Sequence, residues 1–443
     1  MRKLMTLAVL MALTFAILKV GGGVMPEGRE SFLLGFLLLA AYLAGHVSHA
    51  VELPRITGYL LLGILVGPFV MGLLPRESVV EFRLINGGAL SLIALAAGGE
   101  LRLDAVKKRA MAIFAIIAAQ VVVVCGVVVA AVWWGRDMVP FLRGTPPGVT
   151  LAVGLIFGLV AVAKSPATTI AIITEERARG VLTETVLGIT VMKDVVVLVL
   201  VALVIPLAAV LADPTAPFAL DTVKEVLLAI ALSVGAGVVM GLVLALYLGR
   251  VRENHIIVVL VAAFLLVEVS DVLGLEHILV AMTAGFCVQN FSRQGAGLLR
   301  ALEANALPVY ALFFAVAGAD LRIDLLPRVW TVAVGLSVVR ALALAGSTWL
   351  GARAVHDPPV VRRWAWMGFL AQAGVTLGIA NIVRDRFPVW GGDVATVIIA
   401  MIALNQIVGP PAFRLSLMHA DESHRTTGRL SASRARELGL SGA

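Results

Sequence analysis

Apolar residues in this chain run together in blocks of about 16 to 30, separated by short charged or Gly- and Pro-containing loops. Blocks of that length fit helices crossing a ~30 Å bilayer core at ~1.5 Å per residue. Barrel strands would be ~10-residue segments of alternating polarity. The pattern predicts an all-α polytopic membrane protein with about fourteen transmembrane helices, the first near 4–24 and the last near 393–417. Three segments follow. Residues 1–24 form an extra N-terminal transmembrane helix, 25–417 a thirteen-helix transmembrane domain, and 418–443 a polar tail. The first block has a basic start and a short apolar stretch, so it also reads as a signal peptide; the lack of a small-x-small cleavage site before Gly21 favours a retained helix.

Composition agrees with the pattern: 60% of the 443 residues are apolar and only 14% are charged, against about 25% in a soluble domain. The net charge of +7 is not a nucleic-acid footprint, because the basic residues gather in alternate loops. Lys107, Lys108 and Arg109, and later Arg353, Arg362 and Arg363, lie on the same side as the termini. That asymmetry places both termini in the cytoplasm of a bacterial inner-membrane protein. The two cysteines, Cys125 and Cys287, both lie inside apolar blocks and form neither a disulfide framework nor a metal spacing. No catalytic motif surrounds any Ser or Cys, and no glycine-rich phosphate turn occurs, so an enzyme is not expected and no cofactor is implied.

Two blocks are interrupted by breakers, 161–169 (AVAKSPATT) and 370–378 (LAQAGVTLG), in corresponding positions of halves with weak hydropathy symmetry. Pro166 removes a backbone donor, and Gly374, beside Gln372, loosens the second helix. Paired interrupted helices of an inverted repeat point to a transporter site near the bilayer midplane.

Charges fall at the same depth. Lys164, Asp194 and Arg340 each lie roughly 17–22 Å into their spans, and Lys193 adjoins Asp194 in the run 181–211 (VLTETVLGITVMKDVVVLVLVALVIPLAAVL). Buried charges mark ion or proton pathways. Asp194 is the acid of the set, and a lone carboxylate that binds either a proton or a cation is the minimal chemistry of exchange. Arg340 stays charged at any accessible pH and suits a fixed counter-ion. Lys193 points about 100° away from Asp194 on a helix, so its expected partner is an acid on another span or the open end of an interrupted helix. Lys164 either neutralises a helix C-terminus or snorkels to the interface.

Several stretches resemble the monovalent cation:proton antiporters of the Kef/NapA-like branch, over roughly residues 31–417. They are 53–68 (LPRITGYLLLGILVGP), 95–104 (LAAGGELRLD), 267–286 (VEVSDVLGLEHILVAMTAGF), 307–324 (LPVYALFFAVAGADLRID) and 408–414 (VGPPAFR), in that order. The resemblance implies panel and core domains, two crossed interrupted helices, a homodimer in lipid and elevator-type alternating access. It puts the family's essential aspartate on Asp194 and its buried basic residue on Arg340. Lys193 departs from the family's usual Asp or Asn, and Lys164-Ser165-Pro166 from its usual polar turn.

The resulting expectation is exchange of H+ for Na+ or K+. Asp194, Ser165 and Thr168 bind the ion, since hard cations take oxygen ligands. Lys193, Arg340 and Lys164 compensate charge. One titrating carboxylate implies electroneutral 1:1 exchange. The excess of cations over Asp194 leaves an anion or organic-acid transporter as the alternative, and a non-transporting sensor as a weaker one.

Overall fold

A computed structural model describes residues 6–14, 29–213, 220–250 and 255–423. The described residues are almost entirely helical, without strands. Helices occupy the predicted spans from 31–49 to 393–417. Of the predicted span 4–24, residues 6–14 are helical and the others lie outside the described residues, as does the tail beyond residue 423.

Among the described residues, seven helices are long and apolar enough to cross a membrane, and an eighth candidate is a bent pair, Pro359–Phe369 with Gly374–Arg386, which turns by 50° at its break. Three shorter apolar helices, Arg55–Val66, Gly87–Glu100 and His277–Phe291, accompany them. The chain is a multi-pass membrane protein. On the helix Leu220–Arg250, Leu228, Val239 and Leu246 are exposed, as side chains facing lipid tails would be.

Helices stop where the backbone chemistry changes. The predicted span 54–74 is helical only over Arg55–Val66; it ends at Gly67-Pro68, and the chain turns through Gly72 at φ 64°. Likewise the predicted span 273–290 starts as a helix at His277, after a turn at Gly274 (φ 63°). A positive φ is open to glycine at little steric cost.

The chain divides into two compact units. The first holds Met1–Arg102, Ala219–Ala333 and Ala395–Ile407. In it, Arg83–Glu100 packs against His277–Phe291 through reciprocal glycines. A Cβ on Gly98 would run into the Met282 carbonyl, and one on Gly285 into the Leu95 carbonyl. Gly63 and Gly318 let Arg55–Val66 and Gly295–Asp320 approach in the same way. Small residues at such crossings maximise dispersion contact where lipid provides no hydrophobic drive.

The second unit holds Leu103–Phe218, Val334–Val394 and Val408–Ala443. Here Leu103–Gly135 packs on Pro147–Val162, and both pack on Val181–Ala212, the helix of Lys193 and Asp194. All the sequence-predicted site residues belong to this unit.

Candidate functional site

The site is built around two breaks. The first helix stops at Val162, residues 163–165 are extended, and a new helix runs Pro166–Glu176. Ser165 caps it: its Oγ accepts from the Thr168 amide at 3.3 Å and lies 2.9 Å from Thr168 Oγ1. Pro166 takes the first helical position, where a missing N–H costs nothing. In the second break a 3-10 turn, Ala365–Phe369, leads into non-helical residues 370–373, and a helix restarts at Gly374. Gly374 is thus the first residue of the restarted helix, and the interruption lies just before it. The two breaks meet through the backbone, where the Ser165 amide donates to the Ala371 carbonyl at 2.8 Å.

A helix that stops inside a membrane leaves carbonyls without donors. Arg340 and Gln372 supply them. The fully buried guanidinium of Arg340 donates to Ala161 O (2.9 Å) and Ala163 O (3.1 Å) on the first break. On the second it donates to Phe369 O (2.8 Å) and Leu370 O (2.7 Å). Its planar fork suits this multi-point task. Gln372 reaches back across the site to Val160 O at 2.7 Å and Ala163 O at 3.4 Å. Thr169 Oγ1 donates to Ser165 O and Gly368 O. Arg340 therefore neutralises the negative ends of two half-helices at once.

The remaining charges sit beside this junction. Lys164, in the first break and 2% exposed, donates from Nζ to Thr190 Oγ1 and to Thr169 Oγ1 (3.4 Å). Thr190 is four residues before Asp194, so it lies on the same helix face. Lys193 is fully buried and donates to Gln120 Oε1 at 2.6 Å. Gln120 in turn donates from Nε2 to Thr348 Oγ1 at 2.8 Å. Both ammonium groups lie over the Phe369 ring, 5.6 Å (Lys164) and 5.4 Å (Lys193) from its centroid. Asp194 is 8% exposed, and its charge acts on both lysines.

Further buried polar contacts fix the scaffold. Arg109 holds Asp357 at 2.7 Å and Thr185 at 2.7 Å, joining Leu103–Gly135 to the Asp194 helix. Glu176, at the end of the restarted helix, pairs with Arg414 at 2.8 Å and accepts from Ser423 at 2.5 Å. Glu422 accepts from the Leu182 and Thr183 amides at 2.8 and 2.7 Å, capping the start of the Asp194 helix.

The structure thus gathers Lys164, Ser165, Thr168, Arg340 and Gln372 at one junction, with Lys193 and Asp194 on the helix beside it. Two partners differ from expectation. Lys193 meets neither an acid nor an open helix end but the neutral amide of Gln120. Lys164 is buried on threonine hydroxyls and does not snorkel, because Arg340 and Gln372 already serve the helix ends. Sequence reasoning missed Gln120, Thr190, Thr348 and Phe369. Gln120 alone left a trace, as an amide inside the apolar run AIFAIIAAQVVVVCG.

Residues 34–418 match the pattern of the transmembrane sodium/hydrogen exchanger family. The chain is 24% identical over 377 residues to a Bacillus cereus protein named "Probable Na(+)/H(+) antiporter GerT", covering 83% of this chain and 89% of that one. It is 22% identical over 414 residues to the "Na(+)/H(+)-K(+) antiporter GerN" of the same organism, covering 89% and 98%. Among solved structures, the sodium proton antiporter MjNhaP1 of Methanocaldococcus jannaschii superposes with a TM-score of 0.62 at 18% identity, covering 88% of this chain and 98% of that one. That last likeness is one of fold.

Proposed function

Since the chain belongs to the sodium/hydrogen exchanger family, we propose that it is a secondary active transporter exchanging H+ for Na+ or K+ across the bacterial inner membrane, with Asp194 as the shared binding carboxylate. The observation that carries this reading is the position of Asp194: a buried acid whose charge acts on two buried basic side chains, on a helix whose preceding turn is tied by Lys164 to the break. Ser165 and Thr168 offer hydroxyl oxygens at that break, the ligand type hard cations take. The names of the relatives, which carry Na+ and K+, support the choice of cargo.

A carboxylate holds either the proton or the metal ion, so each occupant displaces the other. With Lys164, Lys193 and Arg340 charged, the surroundings stay net positive even when Asp194 is ionised, which disfavours a second bound cation. One titrating carboxylate gives electroneutral 1:1 exchange. The second unit would be the moving core and the first the dimerisation panel of a homodimer with both termini cytoplasmic, working as an elevator. The fold alone does not dictate these steps.

The test is exchange by the purified chain in proteoliposomes carrying a pH dye. A Na+ or K+ pulse should alkalinise or acidify the lumen according to the gradient, and an imposed membrane potential should leave the rate unchanged. Asp194→Asn should abolish the signal. Full activity in that variant would remove the site, and labelled-anion uptake without any cation-driven pH change would replace the cargo.

A further inference from the structure

Lys193 is a fully buried basic side chain beside Asp194, and its contacts suggest how its charge is accommodated. A buried ammonium without hydrogen-bond acceptors is costly. The helix Val181–Ala212 cannot aim Lys193 at its neighbour Asp194. The acceptor comes instead from Leu103–Gly135: Gln120 Oε1, at 2.6 Å. The amide is itself oriented, because its Nε2 donates to Thr348 Oγ1 at 2.8 Å on the Arg340 helix. Flipped, the amide would aim N–H groups at an ammonium and its oxygen at the threonine. The chain Thr348–Gln120–Lys193 is fully buried at every member.

Four charged or titratable groups act on Lys193: Asp194 on its own helix, Lys164 at the first break, Arg340 on the helix of Thr348, and Cys125 on the helix of Gln120. Two of these are cations and oppose its charge. Gln120 is the neutral group that holds the ammonium in place without cancelling that charge.

From this geometry we infer that Gln120 is a positioning residue for ion exchange: it fixes where the Lys193 amino group sits beside the site, and so sets how tightly the carboxylate holds its ions. The inference rests on the exchange reading above. Removing the acceptor, as in Gln120→Met, favours the neutral amine. Balancing the ammonium, as in Gln120→Glu, cancels its charge. Either way the carboxylate loses one neighbouring positive charge and binds proton and metal ion more tightly.

The experiment measures exchange by wild type, Gln120→Met, Gln120→Glu, Lys193→Met and the Gln120→Met/Lys193→Met double variant, in Na+ and K+ over a pH series. Each single variant should lower the cation KM about tenfold and raise the pH of half-maximal exchange by about one unit, the scale of one unit charge nearby in a protein interior. The double variant should match Lys193→Met within about twofold, because Gln120 would act only through Lys193. Gln120 variants that lower the yield of folded protein but leave KM and pH profile unmoved would overturn the inference, and so would additive shifts in the double variant. A wild type that moves no protons in response to either cation would instead overturn the exchange reading.

Discussion

The two units bury different chemistry. Among the described residues, each buried Lys, Arg, Asp or Glu (Lys164, Glu176, Lys193, Asp194, Arg340, Asp357 and Arg414) belongs to the second unit. The buried polar side chains of the first unit are neutral, such as Ser91, Ser233 and Asn405, and its helices approach through glycines. In the first unit, intact helices satisfy their own backbone, and packing needs only shape. In the second, two helices break, their ends must be satisfied by side chains, and charged donors do this best. One of the buried charges is thus a direct consequence of the breaks: Arg340 donates to carbonyls of both.

The strongest test of this contrast removes Arg340. Arg340→Met deletes donors to four carbonyls on two breaks, and the loss of such a buried network should cost at least about 4 kcal/mol. Arg340→Lys should not rescue it, since one ammonium cannot span both breaks as the guanidinium does. Thermal melting of the detergent-purified variants reads the effect, together with exchange in proteoliposomes. A melting temperature close to wild type for Arg340→Met would mean that the breaks hold without a charged cap, and the link between interruption and charge would dissolve.

The junction was partly legible beforehand. Hydropathy located the helices, because a bilayer demands long apolar runs. Pro166 and the Gln372–Gly374 segment located the breaks, because backbone chemistry is local. The same locality hid the pairings. Lys193 and Gln120 are 73 positions apart, and a neutral amide in an apolar run carries no charge to announce a partner. Arg340 read as a fixed counter-ion, but the carbonyls it serves belong to the backbone, which every residue has and no sequence pattern marks. The glycine crossings of the first unit were hidden for a similar reason: Gly285 looks like any other glycine until the Leu95 carbonyl lies against it.

That glycine provides a weaker, opposite test. In Gly285→Val the branched side chain meets the Leu95 carbonyl and the Gly99 amide, so the two helices must part. Overpacking of this kind costs about 1–3 kcal/mol. Because the first unit holds no buried charge among its described residues, the folded fraction should exchange ions with unchanged cation KM and pH profile. Melting and a KM determination on the same preparation separate the two outcomes. A shifted pH profile would show that the first unit tunes the ion site, and the division of labour would fail.

The smallest effect belongs to a charge pair in the first unit that is only half buried. Arg322 and Asp324 pair at 2.8 Å with side chains 33% and 37% exposed. Such pairs contribute about 0–1 kcal/mol and weaken with salt, so Asp324→Asn should lower stability by less than about 1 kcal/mol. The guanidinium also lies 5.0 Å from the centre of the Phe69 ring, and a cation over an aromatic face adds a salt-tolerant contact. Arg322→Ala should therefore cost more than Asp324→Asn, and the gap between them should persist in molar salt. Melting of both variants at low and high salt measures it. Were Asp324→Asn as damaging as Arg340→Met, position along the chain rather than burial would decide what a charge is worth here, and the contrast between the units would lose its physical basis.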